Sequence, residues 1–132
     1  MINLTIPGEP CAKGRPRLGK FGTYTPTKTI NAETLIKELY IVEHNGKKID
    51  GQVCLRVKAY FKISKSFSKK MAEEMNSGNI RPVKRPDGDN ILKLVSDALN
   101  GLAYDDDSQV VTAIVEKYYS DNPRVEIMLT ET

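Results

Sequence analysis

The chain has 132 residues, a formal net charge of +3, and 39% hydrophobic against 28% charged residues, which bounds it to a single domain, residues 1–132, with one hydrophobic core. That apolar share with so small a net charge excludes a disordered chain, and no uninterrupted apolar run exceeds Leu39 to Val42, so nothing can span a bilayer and no membrane partner is expected. Two cysteines, Cys11 and Cys54, and the lone His44 exclude a disulfide framework, a four-ligand zinc site and any mechanism built on several imidazoles. No secretory signal opens the sequence, so the expectation is a cytoplasmic protein with reduced thiols.

Ile2, Leu4 and Ile6 alternate with Asn3 and Thr5, which predicts a short half-buried strand ended by Pro7-Gly8. Residues 7–28 are rich in proline and glycine and read as one long loop. From Thr29 the pattern turns helical, with Leu35, Ile36, Leu39 and Val42 on one side and a stop at Asn45-Gly46. Val53, Leu55, Val57, Ala59 and Phe61 alternate with Cys54, Arg56, Lys58, Tyr60 and Lys62, predicting a strand with one apolar and one mostly basic face. Ser68 caps a short helix through Met75. Asp89 to Asn100 is the clearest helix, with Ile91, Leu92, Val95, Ala98 and Leu99 as its buried stripe and Gly101 as its stop. Val110–Tyr119 and Arg124–Thr130 read as two strands joined by a turn at Ser120–Pro123. The order implies an α+β fold, a mixed β-sheet with helices packed on it.

Charge is sorted along the chain. Pro10 to Lys28 holds five basic residues (Lys13, Arg15, Arg17, Lys20 and Lys28) and no acid, and Gly51 to Lys70 holds six more, again without an acid. Arg81, Lys84 and Arg85 follow. Between Asp87 and Asp107 the composition inverts to six aspartates against one base, Lys93. Basic surroundings around a tight acidic cluster suit a protein that holds a polyanion and performs metal chemistry on it. Hard oxygen donors with little nitrogen or sulfur nearby select Mg²⁺ or Mn²⁺ over zinc. Such an ion can polarise a phosphodiester and activate a bound water. Each aspartate also has an ordinary use: Asp89 is a good helix cap, Asp89 with Lys93 is a common i,i+4 pair, and Asp105-Asp106-Asp107-Ser108 makes a polar turn.

Three segments carry a resemblance. Arg85-Pro86-Asp87-Gly88-Asp89-Asn90-Ile91-Leu92-Lys93, then Asp97-Ala98-Leu99, then Asp106-Asp107-Ser108-Gln109-Val110 follow the pattern P-D-x-D-N-x-x-K, D-A-L, D-D-x-Q-V. This resembles the RusA family of Holliday junction resolvases, and Lys13-Gly14-Arg15-Pro16-Arg17 with Tyr24-Thr25-Pro26 is similar to its phage and prophage members. The resemblance implies a RusA-like fold and a homodimeric, Mg²⁺-dependent endonuclease (Mn²⁺ substituting) that resolves four-way DNA junctions in recombination and repair. It further implies that Asp87, Asp89, Asp107 and Lys93 are catalytic, with Asp87, Asp89, Asp106 and Asp107 around the metal. Asn90 and Asp97 fall on motif positions that support the site, and Asp105 is an extra acid.

A four-way junction is two-fold symmetric and needs two cuts, which a dimer with isologous symmetry supplies. Lys13, Arg15, Arg17, Lys84 and Arg85 are the expected DNA contacts, and the face bearing Arg56, Lys58 and Lys62 is a second candidate. Tyr24, Tyr60, Tyr118 and Tyr119 could stack on unpaired bases, although packing roles are the more ordinary use of such residues. The competing expectations are a catalytically inactive protein that binds branched DNA and a metal enzyme acting on small phosphates.

Overall fold

The computed structural model describes residues 1–11, 17–19, 22–24 and 27–132, and the side chains of 1–11 and 31–132. Alternation in the sequence builds its centre. β4 (Val53–Lys62) buries Val53, Leu55, Val57, Ala59 and Phe61 on one face and leaves the basic and aromatic residues between them on the other. β6 (Arg124–Glu131) buries Val125, Ile127 and Leu129, and β1 (Ile2–Pro7) buries Ile2, Leu4 and Ile6. Together with β5 (Val110–Ser120) these form a four-stranded sheet in the order β1-β6-β4-β5. β1 and β4 both run antiparallel to β6, whereas β4 and β5 are parallel. The fold is thus α+β with a mixed sheet, as expected.

β5 and β6 have the predicted extents but are not neighbours, because β4 inserts between them. A parallel pair needs a long crossover, and here everything from Ile63 to Gln109 supplies it. That crossover contains α2 (Lys69–Asn76), capped by the Ser68 side chain accepting from Met71 N–H, and α3 (Gly88–Leu99). α1 (Thr27–His44) starts two residues before the expected point, and Asn45 and Gly46 end it with positive φ. Its buried side runs through Ile36 and Tyr40, while Leu35 and Val42 face outward. The predicted stripe was therefore rotated, because Tyr40 rather than Val42 fills the space against the core. The predicted 7–28 loop also contains a two-stranded hairpin, β2 (Arg17–Gly19) paired with β3 (Gly22–Tyr24).

The core lies between the apolar sheet face and α1 and α3. α3 contributes Ile91, Leu94, Val95, Ala98 and Leu99, and the turn after it adds Ala103 and Tyr104, both fully buried. Gly88 fixes how closely α3 approaches. A Cβ there would lie 3.2 Å from Val115 Cγ1 of β5, so glycine lets the first turn of the helix rest directly on the strand.

Candidate active site

The acidic residues occupy the two ends of the α3 unit. Arg85-Pro86, joined by a cis peptide, leads into Asp87, which stands at the N-cap position of α3 with no side-chain cap bond. The cap position thus falls on Asp87, not on Asp89. Asp89 lies in the first helical turn, where the N-terminal dipole favours its charge. Lys93 follows one turn later and pairs with Asp97, with Nζ 4.0 Å from Oδ2, instead of the expected Asp89. At the other end, Asp105-Asp106-Asp107 bridges the turn after α3 to a 3-10 turn, Asp107–Gln109, that opens into β5.

The three adjacent aspartates have different fates. Asp105 forms an ion pair with Lys48 at 2.8 Å. Asp106 caps the 3-10 turn, accepting from Ser108 N–H at 3.1 Å, and the Ser108 hydroxyl and N–H hold its carboxyl below the ordinary value. Gln109 closes the capping box: its Oε1 accepts from the Asp105 and Asp106 N–H groups at 2.8 and 3.1 Å. Its Nε2 donates to the carbonyls of Ile49 and Gly51, both at 3.0 Å. Asp107 is left exposed. Among the described residues Asp87, Asp89 and Asp107 are exposed and make no side-chain hydrogen bond or ion pair.

Beneath these turns lies Tyr104, whose hydroxyl donates to the Ser96 carbonyl at 2.8 Å. Burial pushes its phenol well above the ordinary value, and the charges of Asp107, Asp97 and Asp106 push it the same way. The helix carboxylate that shares this neighbourhood with Asp106 and Asp107 is therefore Asp97. Asp87 and Asp89 belong to the far end of α3, beside Val115. The donor chemistry suits a hard divalent ion, but among the described residues no three histidine, cysteine or carboxylate groups come close enough together to hold one. Among the described residues the oxygen donors are thus presented without being closed into a metal cage.

The expected DNA contacts divide in the same way. Lys84 and Arg85 are exposed on the segment that leads straight into Asp87. Lys13 and Arg15 lie outside the described residues, and Arg17 is placed only as the first residue of β2. On the face bearing Arg56, Lys58 and Lys62, Arg56 and the neighbouring Arg124 are neutralised in place, whereas among the described residues Lys58 and Lys62 form no ion pair. Arg56 bonds Glu116 at 2.7 Å, Tyr118 donates to the same carboxylate at 2.7 Å, and Arg124 pairs with Glu126 at 2.9 Å. Tyr60 and Tyr118 stack at 5.5 Å and 25°, with Arg124 over Tyr60 at 3.8 Å and Arg81 over Tyr118 at 4.3 Å. These two tyrosines pack against their own protein. Tyr119 is half-buried against the core, and the side chain of Tyr24 lies outside the described residues. His44 accounts for itself through a 2.7 Å contact with the Asn3 carbonyl.

Sequence reasoning gave no role to Gln109, Tyr104 or Lys48. The first had a signal: Asp106-Asp107-Ser108-Gln109 is a capping-box pattern. Tyr104 and Lys48 had none, because their importance comes from long-range contacts.

Known proteins corroborate the motif. The family described as Endodeoxyribonuclease RusA matches residues 7–130. A Bacillus subtilis (strain 168) protein, "Uncharacterized protein YqaN", is 43% identical over 137 residues, covering 98% of this chain and 96% of the relative.

Proposed function

Because the chain belongs to the RusA endodeoxyribonuclease family, we propose that it resolves four-way DNA junctions by paired, symmetric phosphodiester hydrolysis, as a cytoplasmic homodimer serving recombination and repair, in a phage or prophage setting. Membership indicates a nuclease. The junction, the symmetry and the metal are the finer parts of the reading. The observation that carries it is the set of three exposed carboxylates, Asp87, Asp89 and Asp107, that no structural bond employs, on motif positions of a nuclease family. Carboxylates with no structural partner carry charge that a bound cation would neutralise.

Asp87 and Asp89 at the start of α3, and Asp107 beyond its end, are the carboxylates that would bind Mg²⁺ or Mn²⁺, with Asp106 supporting the turn, and the metal would supply water activation and charge neutralisation at the phosphate. The remaining work falls to the chain itself. Lys93, exposed and salt-bridged only weakly to Asp97, is free to extend its ammonium toward a phosphate oxygen and stabilise charge there. Lys84 and Arg85 precede the carboxylates and draw the backbone of the nucleic acid to them. Tyr104 and Gln109 keep the Asp105–Asp107 turn in place, so the Asp107 carboxylate faces outward.

The decisive experiment compares cleavage of a mobile four-way junction with matched duplex, flap and single strand, with Mg²⁺, with Mn²⁺ and with chelator. Preferential, ion-dependent cutting of the junction is expected. Equal cutting of all four substrates removes the resolvase reading and leaves a general nuclease. One observation favours the binding-only alternative, namely that among the described residues no three carboxylates come close enough together to hold an ion. Tight junction binding with no cleavage in either ion would establish that alternative.

A further inference from the structure

Lys117 stands outside the acidic motif, yet β5 brings it to the same place. It lies opposite Ala59, on the sheet face that also carries Val115. Residues two apart on a strand share a face and are separated by about 7 Å. Gly88, at the start of α3, rests on Val115, so Lys117 flanks the helix end that carries Asp87. Two side-chain bonds then lace this part of β5 to the segment entering the site. The Lys117 ammonium donates to the Lys84 carbonyl, and Arg81 Nε donates to the Lys117 carbonyl at 2.8 Å. Arg81 to Arg85 is thereby held against the strand just before Asp87.

The lacing gathers positive charge. Lys117 Nζ is 5.1 Å and Lys84 Nζ 5.9 Å from the centre of one ring, that of Phe61. Phe61 is buried, so the two ammonium groups share an apolar floor, where their repulsion is screened less than in bulk water. Among the described residues no carboxylate pairs with Arg81, Lys84, Arg85 or Lys117. An aromatic face attracts a cation only weakly and does not neutralise two. A glutamine could have tied the Lys84 carbonyl equally well. What lysine adds is a full charge, with two N–H donors left over.

We propose that Lys117 and Lys84 together hold one phosphate of the DNA strand, next to the phosphate that is cut. An anion is what the pair lacks, and a nucleic acid supplies further anions beside any phosphate brought to Asp87 and Asp89. The lacing sets the position of the Lys117 ammonium before DNA arrives, so less side-chain freedom is lost on binding. Lys93, one turn into α3, remains for the scissile phosphate. This subsite rests on the nuclease reading above and adds to it a contact that no local pattern shows, since Lys84 and Lys117 are 33 residues apart.

The test uses the full chain and a labelled four-way junction, with binding followed by fluorescence anisotropy in chelator over a salt series. Single-turnover cleavage in Mg²⁺ is measured beside it. Lys117→Met keeps the aliphatic stem over Phe61 and removes the charge, and it should reduce the salt slope by about one unit per subunit. Lys117→Gln, which retains a donor for the Lys84 carbonyl, should lose the same slope, whereas Lys117→Arg should keep it. Lys84→Met should act like Lys117→Met. The affinity lost in the double variant should differ from the product of the two single losses by about 3-fold or more, as for neighbours sharing one ligand. Simple multiplication puts the lysines on separate phosphates and overturns the shared subsite. An unchanged slope with slower cleavage in Lys117→Gln makes the residue a strut for Asp87 and overturns the phosphate contact. A parent that binds the junction but cuts nothing in Mg²⁺ or Mn²⁺ removes the nuclease reading and leaves the subsite to be judged by the same slopes. A parent that binds no DNA overturns both.

Discussion

The polar face of the sheet and the acidic turns around α3 look alike in sequence, both dense in charge, but the protein uses them in opposite ways. On the sheet face most charges find an opposite within the same face. Arg56 meets Glu116, Arg124 meets Glu126, and Tyr60 and Tyr118 fill the space between. Around α3 the charges are six aspartates against the single base Lys93, and only some are neutralised: Asp105 by Lys48, Asp106 by the 3-10 turn and Asp97 by Lys93. What remains, Asp87, Asp89 and Asp107, is unneutralised charge without a structural use. Charge density is similar in the two regions; what differs is how much of it the fold pairs.

The contrast is broken most directly at Asp89. Asp89→Asn should lower junction cleavage by roughly 10²-fold or more, the scale of losing one group that stabilises transition-state charge. Junction affinity should stay near that of the parent, because the basic residues are untouched. Cleavage near the parent rate in a single-turnover assay would mean that the acidic turns are as structural as the sheet face. The mirror-image variant is Arg56→Ala, which should leave both cleavage and the salt dependence of DNA binding almost unchanged, since its charge is already matched by Glu116. A salt slope reduced by about one unit would show that Arg56 contacts a phosphate after all.

Within the acidic turn, adjacent residues should separate by readout. Asp106→Ala removes a cap and should lower Tm by about 2–4 °C, while Asp107→Ala should leave Tm unchanged and lose cleavage. Equal thermal effects would erase the distinction between the two residues.

Two smaller effects depend on pH. The Tyr104 phenol holds its proton more tightly folded than unfolded, because of burial first and the nearby Asp107, Asp97 and Asp106 charges second. Its contribution is intact below the ordinary value of 10.0 and is lost as pH rises toward the elevated value. Thermal melts at pH 8 and 11 should show a steeper alkaline loss for the parent than for Tyr104→Phe. The hydrogen bond from Tyr118, followed by that from Arg56, holds the Glu116 carboxyl below its ordinary 4.5. Its contribution is therefore present above that value and fades as pH falls through the depressed one. Because the pair is partly exposed, Glu116→Gln should cost only about 1–3 °C in Tm near neutrality, and the difference from the parent should shrink in acid.

Much of the molecule was legible from local rules. Period-two alternation located β1, β4 and β6, since each buries one face, and Ser68, Gly46 and Gly101 punctuated the helices where capping chemistry requires. The acidic motif was complete in the sequence, and its family followed from the motif. The side of α1 that faces inward was misjudged, because Tyr40 competes with aliphatic neighbours for the core and only packing settles the outcome. The hairpin of β2 and β3 was missed because its strands are only three residues long, too short for any period to show.

Sequence by itself determined the kind of residues available: a single α+β domain, one basic and one acidic set, and a nuclease motif whose order of aspartates is fixed by chain chemistry. Tertiary structure decided which of those residues are free. Lys48 is 57 residues from Asp105, and Gln109 is 60 from Ile49, so no local pattern could have predicted that one aspartate would be neutralised and the next pinned while the third stayed open. The same holds for the sheet order, where the insertion of β4 between β5 and β6 left β5 as an edge. Local propensity selects helices and strands, but pairing and neutralisation are long-range choices, decided by which surfaces the core brings together.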